Sequence, residues 1–250
     1  MPATDSELEE ARSAAAGGIA KRNYVRRIFS EIAPRYDLLN RLLSFGIDRW
    51  WRTRAIAALR WSRNPAGTYV DLCAGTLDVS AQLARRPAFS GTVVGADFAE
   101  PMLRAGAGKS PRSRVAPVVA DALALPLRSN SAAGAIVAFG IRNLADLDAG
   151  LRETLRVLEP GARFVILEFS TPRLPVVRNI YRVYFHHVLP AIGRVVSRHP
   201  TAYRYLPESV DRFPEGAILA ERMRTAGFTD VSWVSLSFGI AALHTGARSE

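Results

Sequence analysis

The chain has 250 residues, 48% of them hydrophobic, which suits one large α/β domain with additions or at most two small ones and excludes a globally disordered chain. Its formal net charge of +10 is almost all arginine, since Lys21 and Lys109 are the only lysines, so nucleic acid and anionic membrane stay open as partners beside an ordinary solvated surface. Cys73 is the sole cysteine and rules out an internal disulfide, the four histidines are too few to suggest a zinc site, and neither a secretory signal nor an apolar run of roughly 18–20 residues is present.

Residues 1–22 carry Ser, Ala and Gly without a sustained apolar period and read as a mobile arm. Residues 23–65 read as a helical cap. Val25, Ile28, Phe29 and Ile32, then Leu38, Leu39, Leu42 and Leu43, recur at helical spacing with Pro34 as a break, and Trp50, Trp51, Ile56 and Leu59 continue a second helix. Asn64-Pro65-Ala66-Gly67 is a turn that opens a core over 66–250. Strands are expected at 68–73, 92–97, 114–120, 135–139 and 163–168, with helices at 77–86, from Pro101, and at 146–158, the last closing at Glu159-Pro160-Gly161. Such alternation specifies a parallel, doubly wound sheet.

A basic amphipathic insertion follows at about 173–212. Val177, Ile180, Tyr181, Tyr184, Val188, Ile192 and Val195 recur at helical spacing, Arg178 with Arg182 and Arg194 with Arg198 lie across from them, and Pro190 interrupts. A sheet-covering helix, a subunit interface and a lid facing a membrane all fit this pattern. A helix at 214–226 ends at Gly227, and strands at 231–236 and 241–245 flank Phe238-Gly239 as a hairpin.

Asp71-Leu72-Cys73-Ala74-Gly75-Thr76-Leu77-Asp78 joins a strand to a helix through small residues, as a turn that approaches a nucleotide-like cofactor must. Asp97 ends the second strand, 26 residues after Asp71, where an acid accepts both ribose hydroxyls. Asp121, followed by Ala122, could accept from an adenine amino group, and Asp71 is expected to orient the turn by accepting backbone N–H bonds. The fuller Gly-x-Gly-x-x-Gly that seats a pyrophosphate is missing. S-adenosylmethionine has no phosphate to seat, and a terminal hairpin is typical of the methyltransferases that use it. The expected fold class is therefore α/β, a class I S-adenosylmethionine-dependent methyltransferase: Rossmann-like, with a mostly parallel seven-stranded sheet, an antiparallel hairpin strand at its end and an N-terminal helical cap.

Blocks along nearly the whole chain carry a resemblance. They include Tyr36-Asp37-Leu38-Leu39-Asn40 with Ser44 and Trp51, Asp71 to Asp78, Phe139-Gly140-Ile141-Arg142-Asn143, Leu167-Glu168-Phe169-Ser170, Tyr205-Leu206-Pro207-Glu208-Ser209-Val210 and Leu243-His244-Thr245-Gly246. In these the chain resembles the ubiquinone/menaquinone biosynthesis C-methyltransferase family. The resemblance implies methyl transfer to a ring carbon of a prenylated quinol, most simply demethylmenaquinol. It also implies a cofactor site lined by Thr76, Asp97, Asp121 and Ala122, to which Gly75 and Met102 are added here. Ala138 stands where the family has serine, Leu77 where it has glycine, Asp48 where it has histidine, and Ala162 where it has a second glycine after Pro160. Leu77 is expected to keep a negative φ and pack aside.

A sulfonium methyl is already electrophilic, so the chemistry calls for no metal. It calls for alignment of the reacting atoms and for stabilisation of a phenolate. Arg142, just after the fourth strand, is placed to lower a phenol's pKa, with an ion pair to Asp146 or Asp148 as its alternative role. Tyr36, Asp37 and Asn40 are candidates to cap the substrate and Asp48 to form a polar wall; helix packing and surface polarity remain the other reading. His186, His187 and His244 read as structural. The expected setting is the cytoplasm, with peripheral contact to the anionic inner face of a membrane through Arg178, Arg182, Arg194, Arg198 and the aromatics Tyr181, Tyr184 and Phe185. Nucleic acid is not expected as a partner, and the oligomeric state stays open, a homodimer included. The alternatives are the same fold acting on another small molecule or on nucleic acid, and a non-catalytic descendant that owes its loss to Leu77, Asp48 and Ala138.

Overall fold

A computed structural model describes residues 18–110, 113–188 and 202–250. Its centre is a sheet of seven strands: β1 Thr68–Leu72, β2 Thr92–Asp97, β3 Val115–Val119, β4 Ala132–Ala138, β5 Leu158–Phe169, β6 Thr229–Leu236 and β7 Ala241–Ala247. The order is β3-β2-β1-β4-β5-β7-β6. The pairs among β1 to β5 are parallel, whereas β7 runs antiparallel to both β5 and β6. The strand order reverses between β1 and β4, and in open α/β sheets ligands bind beyond the carboxyl ends of the strands at such a point. β1, β2 and β4 are apolar almost throughout because helices cover both faces.

The helices are α1 Gly18–Ile32, α2 Tyr36–Leu43, α3 Ile47–Ala58, α4 Asp78–Ala84, α5 Glu100–Ala105, α6 Leu147–Val157, α7 Pro175–Val183, α8 Ala202–Asp211 and α9 Gly216–Thr225. Pro34 falls in a short 3-10 turn, Ala33–Arg35, that separates α1 from α2 as its missing N–H dictates. α1 packs Tyr24, Ile28 and Ile32 against Tyr181, Phe185 and Val210, so the N-terminal cap and the insertion share one apolar cluster above the sheet.

Three expectations need correction. The Glu159-Pro160-Gly161 turn lies inside β5: Ala132 pairs with Leu158, and the ladder resumes at Gly134 with Arg163 after an irregularity that accommodates the proline. Leu77 has φ 62° and ψ 25°, the left-handed conformation, not the negative φ expected. Its side chain does pack aside into the core, close enough to β2 that a Cβ on Gly95 would come within 2.5 Å of Leu77 Cδ2. The cost of that backbone is about 1–2 kcal/mol, which the burial of a leucine offsets. Third, Tyr181 and Phe185 point inward, while Val176, Ile180 and Val183 face out. Arg194, Arg198, Pro190, Ile192 and Val195, and residues 1–17 of the arm, lie outside the described residues.

Candidate active site

At the carboxyl edge of β1 the chain turns through left-handed residues at Cys73, Gly75 and Leu77. Asp71, the last residue but one of β1, is buried and accepts from Ser80 N at 3.0 Å and Ser80 Oγ at 2.6 Å, which anchors the start of α4 to the strand. Burial pushes its carboxyl up to about 7, against the pull of those hydrogen bonds and of Arg52. Gly140, after β4, lies so close that a Cβ there would come within 2.4 Å of Cys73 Cβ. The two turns therefore touch and form one floor.

Asp97 Oδ2 accepts from Gly75 N and Oδ1 from Ala99 N, each at 2.8 Å. These bonds fix the carboxylate and leave each oxygen a further lone pair. Burial raises its pKa, partly countered by the Ala99 and Gly75 amides. A Cβ on Gly75 would sit 3.3 Å from Met102 Cε and 3.9 Å from Tyr36 Cε1, so the glycine keeps this space open. Gly75, Asp97, Met102, Asp121, Ala122 and Ala138 line one pocket beyond β1, β2 and β4. Asp71 and Thr76 are not on its wall. Thr76 Oγ1 instead donates to Asp37 Oδ1 at 2.5 Å, and Asp37 also pairs with Lys109 at 2.5 Å.

The residues suit S-adenosylmethionine: a fixed carboxylate for ribose hydroxyls, apolar residues for a flat ring, and a turn that Gly75 keeps open at its closest point. The pocket is about 50 Å³, small beside the roughly 300–1,000 Å³ of typical ligand sites. The room is taken by α1, whose Arg22, Val25 and Phe29 form a roof. Arg22 pairs with Asp121 Oδ2 at 2.9 Å, and Lys21 Nζ donates to the Arg142 carbonyl at 2.8 Å. Asp121 Oδ1 accepts from Leu123 N at 3.0 Å.

Next to it lies a second cavity of about 660 Å³, reached across Phe29, Tyr36 and Phe139, which line both. Aromatic residues from four distant parts of the chain meet there: Trp51 from α3, Phe169 from β5, Tyr181 from α7 and Tyr205 from α8. Its polar wall holds Asn40, Ser44, Asp48, Arg52 and Arg142. Asp48 is engaged: Ser44 Oγ donates to it at 2.7 Å and Arg52 Nη1 at 2.5 Å. Arg52 also reaches Asp78 at 3.3 Å, and Lys109 joins Asp78 to Asp37. This run of charges ties the cavity wall to the turn after β1.

Arg142 sits in a 3-10 turn, Ile141–Asn143, directly after β4. Its partner is Glu168, at 2.7 Å, rather than Asp146 or Asp148. Asp146 caps α6 through Ala149 N, and Asp148 pairs with Arg222. Arg142 Nη1 also donates to Phe139 O at 2.5 Å and Nε to Ser209 Oγ at 3.2 Å. Among the described residues Nη2 takes no protein partner, and it is not closed off from open space. His244 is buried, stacks on Trp233 and bonds Gly216 O through Nε2, away from either pocket. Burial lowers its pKa.

Sequence reasoning missed Glu168, Arg52, Lys109 and the aromatic wall. Glu168 stood in view within Leu-Glu-Phe-Ser at the end of a buried strand, where an acid needs a cation. The others come together only through the cap's packing.

The architecture is shared with solved proteins of low identity. One is an S-adenosylmethionine-dependent methyltransferase from Thermotoga maritima, with TM-score 0.61, 18% identity, and 89% of this chain and 99% of that one covered. Another is a putative methyltransferase from Haloferax volcanii solved with its Trm112 activator, with TM-score 0.62, 16% identity, and coverage of 88% and 98%. The sheet order and the antiparallel β7 make this a class I S-adenosylmethionine-dependent methyltransferase fold. A sequence profile narrows the class: residues 18–248 match the ubiE/COQ5 methyltransferase family, and the chain belongs to it. Its relatives include the ubiquinone/menaquinone biosynthesis C-methyltransferase UbiE of Geobacter sulfurreducens, 44% identical over 91% of this chain and 90% of that protein. The demethylmenaquinone methyltransferase of Thermus thermophilus is 48% identical over 88% of this chain and its own full length.

Proposed function

We propose that this chain methylates a ring carbon of a prenylated quinol, demethylmenaquinol first among them, with S-adenosylmethionine as donor. The observation that carries the reading is Arg142: a buried guanidinium with two unengaged donors on the wall of an apolar cavity, next to a pocket suited to the cofactor. Relatives named for this reaction support it. Bound S-adenosylmethionine supplies an electrophilic methyl, and Asp97, Gly75, Met102, Asp121, Ala122 and Ala138 would hold it.

The chain's own residues do the rest. Arg142 Nη2 faces the substrate hydroxyl, lowers its pKa and holds the oxyanion that makes the ring carbon nucleophilic. The guanidinium cannot itself accept the proton, which leaves to water. Tyr36 and Phe139, which line both pockets, flank the passage through which the ring carbon meets the methyl, and exclude solvent from it. Asp37 is a positioning residue, joining the cap to Thr76, and Asp48 positions Arg52. An assay with labelled S-adenosylmethionine and short-tailed naphthoquinol and benzoquinol tests the reading. Labelling of the naphthoquinol is expected; no labelling of either by protein shown to hold cofactor would overturn it.

The cavity opens beside an apolar collar. Phe45, 84% exposed, lies 6.1 Å from Tyr184, and Val176, Ile180 and Val183 face outward on α7. No helix among the described residues is long and apolar enough to cross a membrane. We propose a peripheral visit to an anionic membrane from the cytoplasm, with this collar and the α7 arginines Arg178 and Arg182 as the described part of the contact. Changing Arg178, Arg182, Arg194 and Arg198 to Ser is expected to weaken binding to anionic vesicles. Undiminished binding in low salt would sink the idea.

A further inference from the structure

Arg142 has five N–H donors, and the fold disposes of three of them. Nε goes to Ser209 Oγ, and Nη1 goes to Phe139 O and Glu168 Oε1. Glu168 grips the same residue twice, since Oε2 accepts from the Arg142 backbone N at 3.3 Å, while Oε1 also accepts from Phe169 N at 2.9 Å. The side chains are 5% and 1% exposed, so the pair works in a medium of low dielectric where a charge acts strongly on its neighbours. A buried pair of this kind is weak evidence for stability. Its position at the edge of the cavity calls for another explanation.

We propose that Glu168 is a positioning residue for the methyl transfer: it locks Arg142 so that Nη2 alone meets the substrate oxygen, and its charge tempers the guanidinium. The tempering matters because an oxyanion held too tightly is a weaker nucleophile through its ring. A bare buried cation would ionise the phenol readily and then hold its electrons back. Glu168 leaves a donor pair strong enough to favour ionisation and weak enough to release density to the ring carbon. The inference rests on the quinol reading above.

The test is the ionisation of 1-naphthol bound in the cavity, followed by absorbance in the presence of S-adenosylhomocysteine, so no turnover is needed. Other titrating groups face the site. Lys21 from α1 is lowered by burial and by Arg142. Tyr36 from α2, Tyr181 from α7, Tyr205 from α8 and Cys73 after β1 are raised by burial. Tyr184 on the cavity wall is likewise raised by burial, and Asp71 and Asp97 on the cofactor side are raised carboxyls. Lys21, lowered toward the range where bound naphthol titrates and bonded to the Arg142 carbonyl, is replaced in the control Lys21→Met. Glu168→Gln is expected to lower the bound probe's pKa by about one unit, and Glu168→Asp, which keeps the charge, to leave it in place while kcat for the quinol falls. An unmoved pKa in Glu168→Gln, or an equal shift in Glu168→Asp, overturns the proposal. Should Glu168→Gln fail to fold, Glu168→Asp decides: it keeps the charge but shortens the reach to Arg142, and kcat is expected to fall several-fold with KM for cofactor unchanged. Unchanged kcat in that variant refutes the positioning. Wild-type protein that binds naphthol but methylates no quinol would fault the quinol reading, while the pKa comparison would still judge Glu168.

Discussion

The two pockets share a wall and are built in opposite ways. The cofactor side is assembled by strand ends: Asp71, Asp97 and Ala138 arrive where β1, β2 and β4 stop, so the backbone ladder sets their positions. The substrate side is assembled by side chains from α1, α2, α3, β5, α7 and α8, held together by aromatic contacts such as Tyr181 on Phe185 at 4.5 Å. One side is tight, with about 50 Å³ of free space and the carboxylates of Asp97 and Asp121 on its wall, and the other is roomy and more apolar, about 660 Å³. The difference teaches that a sheet edge can serve any member of a cofactor-sharing class, while the substrate is chosen by what is added around it.

Substitutions should separate the two sides. Arg142→Ala is expected to lower kcat by about 10²–10³-fold, the typical cost of removing one oxyanion donor, with cofactor affinity by calorimetry unchanged. A parallel loss of affinity would show that the sides are not independent. Asp97→Ala removes a carboxylate from the other side. Charge-assisted bonds of about 1.5–3 kcal/mol predict a loss of cofactor affinity of roughly 10–150-fold, with the quinol's KM unmoved in assays at saturating cofactor.

Leu77→Gly probes the floor between them. Losing a buried leucine costs about 3–5 kcal/mol, and relief of the left-handed backbone returns about 1–2 kcal/mol. A lower thermal midpoint is expected, with cofactor affinity changed less than about tenfold; a much larger gain in affinity would show that the side chain obstructs the pocket. The smallest effect is electrostatic. Asp71 is raised to about 7 in the folded chain, whereas an unfolded aspartate titrates near about 3.9. The native state binds this proton more tightly, so its contribution is fully present below about pH 4 and is lost as pH rises through 7. Asp71→Asn should flatten that part of the stability–pH curve, and an unaltered slope in thermal melts would contradict the assignment.

The legible parts follow the same division. Asp97 and Asp121 could be placed from sequence because strand periodicity alone puts a residue at a strand's carboxyl end. Arg142 could be placed for the same reason. Its partner could not, because Glu168 is 26 residues away on a neighbouring strand and the sequence offered nearer acids at Asp146 and Asp148. The orientation of α7 was misjudged because both of its faces carry apolar residues, and only the cluster with Tyr24 and Ile28 decides which face turns inward. Leu77 misled in a third way. A left-handed leucine is rare enough that sequence argues against it, and the hole beside Gly95 that makes it tolerable is visible only in three dimensions.

The roof over the cofactor pocket also bears on the substrate side. α1 is pinned there by Arg22 on Asp121, by Lys21 on the Arg142 carbonyl and by Gly18 N on Ala145 O at 3.3 Å. The Arg22 side chain is 48% exposed, and ion pairs so placed hold with only about 0–1 kcal/mol. That ion pair is a weak latch, and the firmer hold on the roof is apolar: Tyr24, Val25 and Ile28 of α1 are almost fully buried. The same helix lends Ile28 and Phe29 to the substrate cavity, so one element roofs both compartments.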